Sequence, residues 1–253
     1  MLVRTTAGLL VIAATCVVAA DAADVKRGEH PLDRAIAMAE SSLDNINKNI
    51  EGYRCKFIKA ERIDGKVGDH SYMEMRVRHK PFSVYLKFIE PDANAGRQAA
   101  YVEGKNDGKL SAKEAGLGFG LIPTVHLAPL SPLAMKGQKY PITEAGIKNL
   151  TERLLEVARH DRRQGETEVK YYSNAKVAGR PCNVIEVIHP KKRDNFLFHK
   201  AQVFVDRELN IPIRYAAYGW PSKPGEEPPL EEEYTYLDFK IDNKLTDADF
   251  EIK

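Results

Sequence analysis

Apolar and polar positions alternate with a period of two through residues 53–103. Tyr53, Cys55 and Phe57 share one face, with Arg54 and Lys56 opposite; Met73, Met75 and Val77 alternate with Glu74, Arg76 and Arg78. Phe82, Val84, Leu86 and Phe88 form a third run, and residues 98–103 a fourth. Such alternation belongs to strands with one covered and one wet face. Asp64-Gly65 is a hairpin signal between the first two, and "EPDANAG" separates the third from the fourth. The pattern predicts an antiparallel meander of at least four strands.

Two segments change to a helical period. Leu32, Ile36, Ala39, Leu43, Ile46 and Ile50 follow one another at spacings of four and three, which predicts an amphipathic helix over residues 31–50, opened by Pro31 and stopped before Gly52. Ile147, Leu150, Leu154 and Val157 predict a second helix over 143–160, with Thr143 as its N-cap. Residues 112–141, between sheet and helix, carry prolines and glycines among apolar residues and read as an irregular connection.

Strand patterns then resume. "EVKYYSNAKVAGRPCNVIEVIHP" predicts a hairpin turning near Gly179-Arg180, and "KAQVFVDRELNIPIRYAAYGWP" another turning near residues 208–210. "PSKPGEEPPLEEE" reads as an exposed acidic loop before a last strand, "YTYLDFKI". Helix and meander, followed by helix and meander, is best accommodated by one antiparallel sheet, an α+β fold in a single domain.

Charge narrows the function. The 38 basic and 36 acidic residues are well mixed and leave a net charge of +2. Nucleic acid is therefore not the expected partner, since phosphate binding calls for Lys and Arg gathered on one face. At the N-terminus, Arg4, an apolar run over residues 7–20 and the small residues around Ala20-Asp21-Ala22 have the form of a signal peptide. The run is shorter than the roughly 20 residues a membrane span needs. Residues 1–22 are read as a cleaved leader and 23–253 as one domain, periplasmic or secreted. Cleavage removes Cys16 and leaves Cys55 and Cys182, an even pair in an oxidising compartment. Two readings stand open for them: a disulfide, or two small buried hydrophobes.

Catalytic chemistry is hard to assemble from this chain. The seven histidines, His30, His70, His79, His126, His160, His189 and His199, show no i, i+4 pair and are read as surface or strand-end residues, with no metal or cofactor expected. His189 and His199 flank "PKKRDNFLF", read as a basic hairpin tip. No G-x-S-x-G elbow occurs. "GLGFG" at residues 116–120 lacks the Lys-Ser/Thr ending of a phosphate loop and reads as a turn or lid. The apolar stripes must be buried somewhere. Either the helices pack on the sheet as plain core, or sheet and helices leave an apolar cavity.

One group of residues resembles a known family. Lys80-Pro81-Phe82, Tyr85, Pro91 and Asp107-Gly108-Lys109, with "VFVDRELNIPIRY" and the closing "LTDADFEIK" around Phe250, look like the periplasmic lipoprotein-carrier proteins of the LolA/LolB type. More narrowly, they resemble a bacterial family of exported proteins of unknown function grouped with those carriers. The resemblance implies a curved, half-open antiparallel β-barrel with helices over its mouth, a cavity for acyl chains and no enzymatic activity. Its implied partners are a hydrophobic ligand or lipoprotein and an envelope membrane protein. Met73, Met75, Val77, Phe82, Val84, Leu86 and Phe88 are the candidates for the cavity lining or the core beneath it. In the carriers an arginine before the proline fastens the helical lid. Lys80 takes that place here, without the planar multi-donor fork of arginine. The alternative is a structural or envelope-interaction domain whose barrel is filled by its own side chains.

Overall fold

The computed structural model describes residues 20–21, 29–115 and 123–252. Of the expected signal peptide only Ala20–Asp21 falls within them; Cys16 and the "GLGFG" segment lie outside the described residues. The strands are β1 (Ala20–Asp21), β2 (Gly52–Ile63), β3 (Lys66–Val67), β4 (Ser71–His79), β5 (Phe82–Glu90), β6 (Gln98–Val102), β7 (Leu110–Lys113) and β8 (Val125–Leu127). They continue with β9 (Glu168–Val177), β10 (Arg180–Ile188), β11 (Lys200–Asp206), β12 (Pro212–Tyr218) and β13 (Leu230–Ile241). The helices are α1 (Asp33–Asn49), α2 (Pro132–Met135) and α3 (Ile147–Arg162).

All pairings are antiparallel, in the order β1-β9-β10-β11-β12-β13-β2-β4-β5-β6-β7-β8, with β3 beside β2. The two meanders are joined where the last strand, β13, pairs with β2. The sheet stays open, with α1 and α3 packed on its concave face: a curved, half-open antiparallel barrel of the α+β class, as expected. Asp64 and Gly65 both have positive φ, 50° and 78°, the geometry of a tight two-residue hairpin turn. The β9–β10 turn falls on Ala178-Gly179, one residue before the expected place.

The concave core gathers Ile46 and Ile50 of α1, Tyr53, Cys55 and Phe57 of β2, Met73, Met75 and Val77 of β4, and Ile147 of α3. The start of α3 departs from expectation. Thr143 is no N-cap; it lies in a short 3-10 turn, Ile142–Glu144. The cap residue is Gly146, with φ 105°, and it offers no side chain to the free amides. The buried Tyr53 hydroxyl accepts from Ile147 N at 3.0 Å instead, so a strand residue performs the capping that sequence-local reasoning assigned to threonine.

The convex face is not uniformly wet either. Tyr85, Ala100 and Val102 pack with Leu245 and Phe250 into a second small core beneath the 3-10 turn Asp247–Phe250. Arg54 holds Asp242 at 2.7 Å and Asp249 at 2.8 Å, and Arg78 holds Asp247 at 2.6 Å. Arginines that alternation assigned to solvent thus anchor the C-terminal segment.

Candidate functional site

The concave face of the sheet, helix α3 and the chain over residues 123–146 surround a cavity of about 1000 Å³. Strand parity supplies one wall: Phe57 of β2, Met73 of β4, and Leu86 and Phe88 of β5. The helical stripe supplies another, Leu150, Leu154 and Val157. That stripe stays only half-buried while Ile147, Thr151 and Leu155 are buried, because its residues face the cavity instead of packed protein.

Of the seven candidate lining residues, Met73, Leu86 and Phe88 reach the cavity. Met75, Val77 and Val84 are fully buried core instead. The reason is the seat of α3: Gly146 and Ile147 rest against Val77 and Tyr53, so that end of the sheet is filled. Phe82 does not line the cavity; it is half-buried against the core, its ring 6.2 Å from that of Tyr101. Lys80 stands exposed on the β4–β5 turn and makes no hydrogen bond or ion pair to a helix among the described residues.

The opposite end of the cavity is polar, and sequence reasoning missed it. Lys59 and Glu61 continue the face of Phe57, and Glu232 continues that of Tyr234 and Tyr236; Glu61 and Glu232 are directly paired across β2 and β13. Lys59 Nζ lies 2.8 Å from Glu61 Oε2, and Lys139 Nζ 2.8 Å from Glu232 Oε2. Tyr234 donates to Glu61 at 2.8 Å, and Tyr140 and Tyr215 donate to Glu232 at 3.1 and 3.2 Å. Burial first, and then the neighbouring carboxylates, push the Tyr140, Tyr215 and Tyr234 phenols well above their ordinary range, so they stay protonated donors. The signal was present: "FIKAE" and "EEYTY" keep the period of two past the last apolar residue. Reading "EEE" as exposed loop concealed it, since β13 already begins at Leu230.

A second, smaller cavity of about 70 Å³ lies between α1, α3 and strands β10–β12, lined by Leu32, Ala35, Ile185 and Val203. Leu154, Val157 and Phe198 border both spaces. Beside it, His189 is wholly buried rather than at a solvated tip. Its Nδ1 donates to the Phe198 carbonyl at 2.9 Å, its ring stacks on Phe196, and its Nε2 lies 3.2 Å from the buried Asp161 carboxylate. No group of three metal-ligating side chains occurs among the described residues. No helix among them is long and apolar enough to cross a membrane.

Cys55 and Cys182 are both buried and both free, which corrects the disulfide alternative. Three strands separate β2 from β10 in the sheet order. Burial raises both thiols, Cys182 to about 11 and Cys55 further, so neither is a ready nucleophile. Alkylation without reductant should label both in denaturant and neither in the native protein, with a native rate lower by about 100-fold or more; a mass showing a linked pair would overturn this assignment.

A family model described as "Protein of unknown function (DUF1571)" matches residues 50–253. No curated protein matches the chain in sequence. Among solved structures, MucB is similar at 12% identity and a TM-score of 0.51, covering 87% of this chain and 63% of that one. The complex of Pseudomonas aeruginosa MucA/MucB gives 13% identity and 0.50, covering 87% and 61%. This chain therefore spans less than two thirds of MucB, and the likeness is one of fold. A LolA superfamily protein from Nitrosomonas europaea aligns at 12% identity and 0.34, covering 85% and 97%.

Proposed function

The chain belongs to the DUF1571 family, and from that premise we propose that it is an exported, non-enzymatic binding protein that holds a hydrophobic ligand, a lipid or a lipoprotein acyl chain, in its cavity. The observation that carries the reading is the space itself. A volume of about 1000 Å³ bordered by Phe57, Met73, Leu86, Phe88, Leu150, Leu154 and Val157 has the size and lining of a small-molecule site. The rival expectation, a barrel filled by its own side chains, does not suit such a volume. An envelope membrane protein that supplies or receives the ligand is the partner this reading calls for.

Native mass spectrometry of the purified protein is expected to find co-purified lipid, and a fluorescent fatty acid should bind with saturation. Leu86→Arg places a charge on the cavity wall and should weaken uptake by about tenfold or more, with circular dichroism unchanged because Leu86 is only half-buried. A protein that carries no lipid and takes up no fatty acid would sink the proposal.

A further inference from the structure

The cavity is apolar at one end and polar at the other, and the polar end is built with a balance that selects a head group. Its charges cancel in pairs: Lys59 with Glu61 and Lys139 with Glu232, each at 2.8 Å. The remaining charged residues of the wall follow suit. Arg97 pairs with Glu114 and Arg153 with Glu156, while Glu231 and Glu152 are neutralised from outside the lining by Arg62 and Lys148; Lys136 and Glu144, both exposed, are of opposite sign. A cation entering here meets carboxylates that lysines already neutralise, and an anion meets the converse. Neither finds a net attraction that offsets its loss of hydration.

The surface still offers hydrogen bonds and flat apolar area. Phe57 lies against Tyr236 and Tyr234, with centroids 5.0 and 6.0 Å apart, and Tyr215 stacks on Tyr234 at 6.1 Å. Carboxylate oxygens retain spare lone pairs beyond the bonds they make. Tyr236 is the telling residue: it lines the cavity, is 3% exposed, and its hydroxyl makes no hydrogen bond among the described residues. A hydroxyl on the cavity wall that no protein group engages keeps its donor and its lone pairs for a ligand.

Resting on the lipid-binding reading above, we infer that the ligand is an amphiphile with an uncharged, hydroxyl-rich head group, a sugar or similar polyol on an alkyl chain. The tail lies along Met73, Leu86, Phe88, Leu154 and Val157, and the head group sits on the aromatic wall between Glu61, Glu232 and Tyr236. The C–H faces of a sugar ring suit stacked aromatic rings, and its hydroxyls both donate to the carboxylates and accept from Tyr236.

A series of detergents sharing one dodecyl chain tests this: the maltoside, the phosphocholine, the sulfate and the trimethylammonium, each below its micelle-forming concentration, displacing a fluorescent fatty acid from the purified protein. The maltoside should bind tightest, by about tenfold over the other three. Tyr236→Phe, which keeps the ring, should reduce that advantage about fivefold. Glu232→Gln leaves Lys139 uncompensated and should shift the order toward the sulfate. Equal binding of all four, or a wild-type preference for a charged or zwitterionic member, overturns the head-group inference while the lipid-binding reading stands. Failure of all four together with the fatty acid removes both.

Discussion

Gly146→Ala is expected to lower stability by about 3 kcal/mol, more than a side chain of one carbon would suggest. Gly146 has φ 105° and ψ 163°, a region that only glycine enters without strain of about 1–3 kcal/mol. The added Cβ would also stand 2.9 Å from the Tyr53 hydroxyl and 3.5 Å from Val77 Cγ1. That hydroxyl cannot step aside cheaply. It is bonded to Ile147 N at 3.0 Å, and its ring is wholly buried and stacked on Phe239 at 4.6 Å. Gly104 gives the control, because its φ is 79° and nothing lies within 4 Å of a Cβ there. Gly104→Ala should cost only about 1 kcal/mol. In a Tyr53→Phe background the clash is relieved, and Gly146→Ala should cost about 1 kcal/mol less than in the wild type. Urea unfolding midpoints measure all of these, and equal costs at Gly104 and Gly146 would refute the argument. Because α3 carries Leu150, Leu154 and Val157 into the cavity, fatty-acid uptake should fall in parallel.

The fold was legible where local pattern and global burial agree. Alternation over Met73-Met75-Val77 and Phe82-Val84-Leu86-Phe88 located β4 and β5, and the spacing of Leu32 to Ile50 located α1, because in each the apolar side chains turn away from water on one side along the whole length. Where one face changes environment partway, the pattern misleads. Val77 and Met73 lie on the same side of β4, yet α3 seats on one and leaves the other at the cavity wall. The polar end suffered most: Lys59, Glu61 and Glu232 look like solvated charges until β13 is known to lie against β2, 171 residues away by the pairing of Glu232 with Glu61. The α3 cap was hidden for the same reason, since its acceptor, Tyr53, belongs to a strand 94 residues earlier. His189 could not be seen as buried without Phe196 and Phe198 folding over it.

Asp206→Ala should cost about 2–4 kcal/mol near neutral pH, because one fully buried carboxylate organises a whole turn. It receives two guanidinium nitrogens of Arg180 and the amide N–H groups of Glu208 and Leu209, at 3.0 and 2.8 Å. Burial works against its ionisation, yet Arg180 and those two amides outweigh it and hold the Asp206 carboxyl below the ordinary range. The unfolded chain therefore takes up the proton first as pH falls. The stabilisation is complete above the unfolded carboxyl value of about 3.9 and is lost as pH drops through the lower folded value. The gap between wild type and Asp206→Ala in urea should be level from about pH 5 to 8 and shrink below about pH 4. A gap that stays level into acid, or widens, contradicts this account. Asp206→Asn keeps an oxygen for the two amides but loses the charge, and should recover about half of the stability. The turn also seats α1, because Asn45 donates to the Leu209 carbonyl and Ser42 to that of Asn210, both at 2.8 Å. Amide exchange along α1 should therefore quicken in Asp206→Ala before the sheet itself is affected, which places the helix bordering the smaller cavity under the control of one carboxylate on its far side.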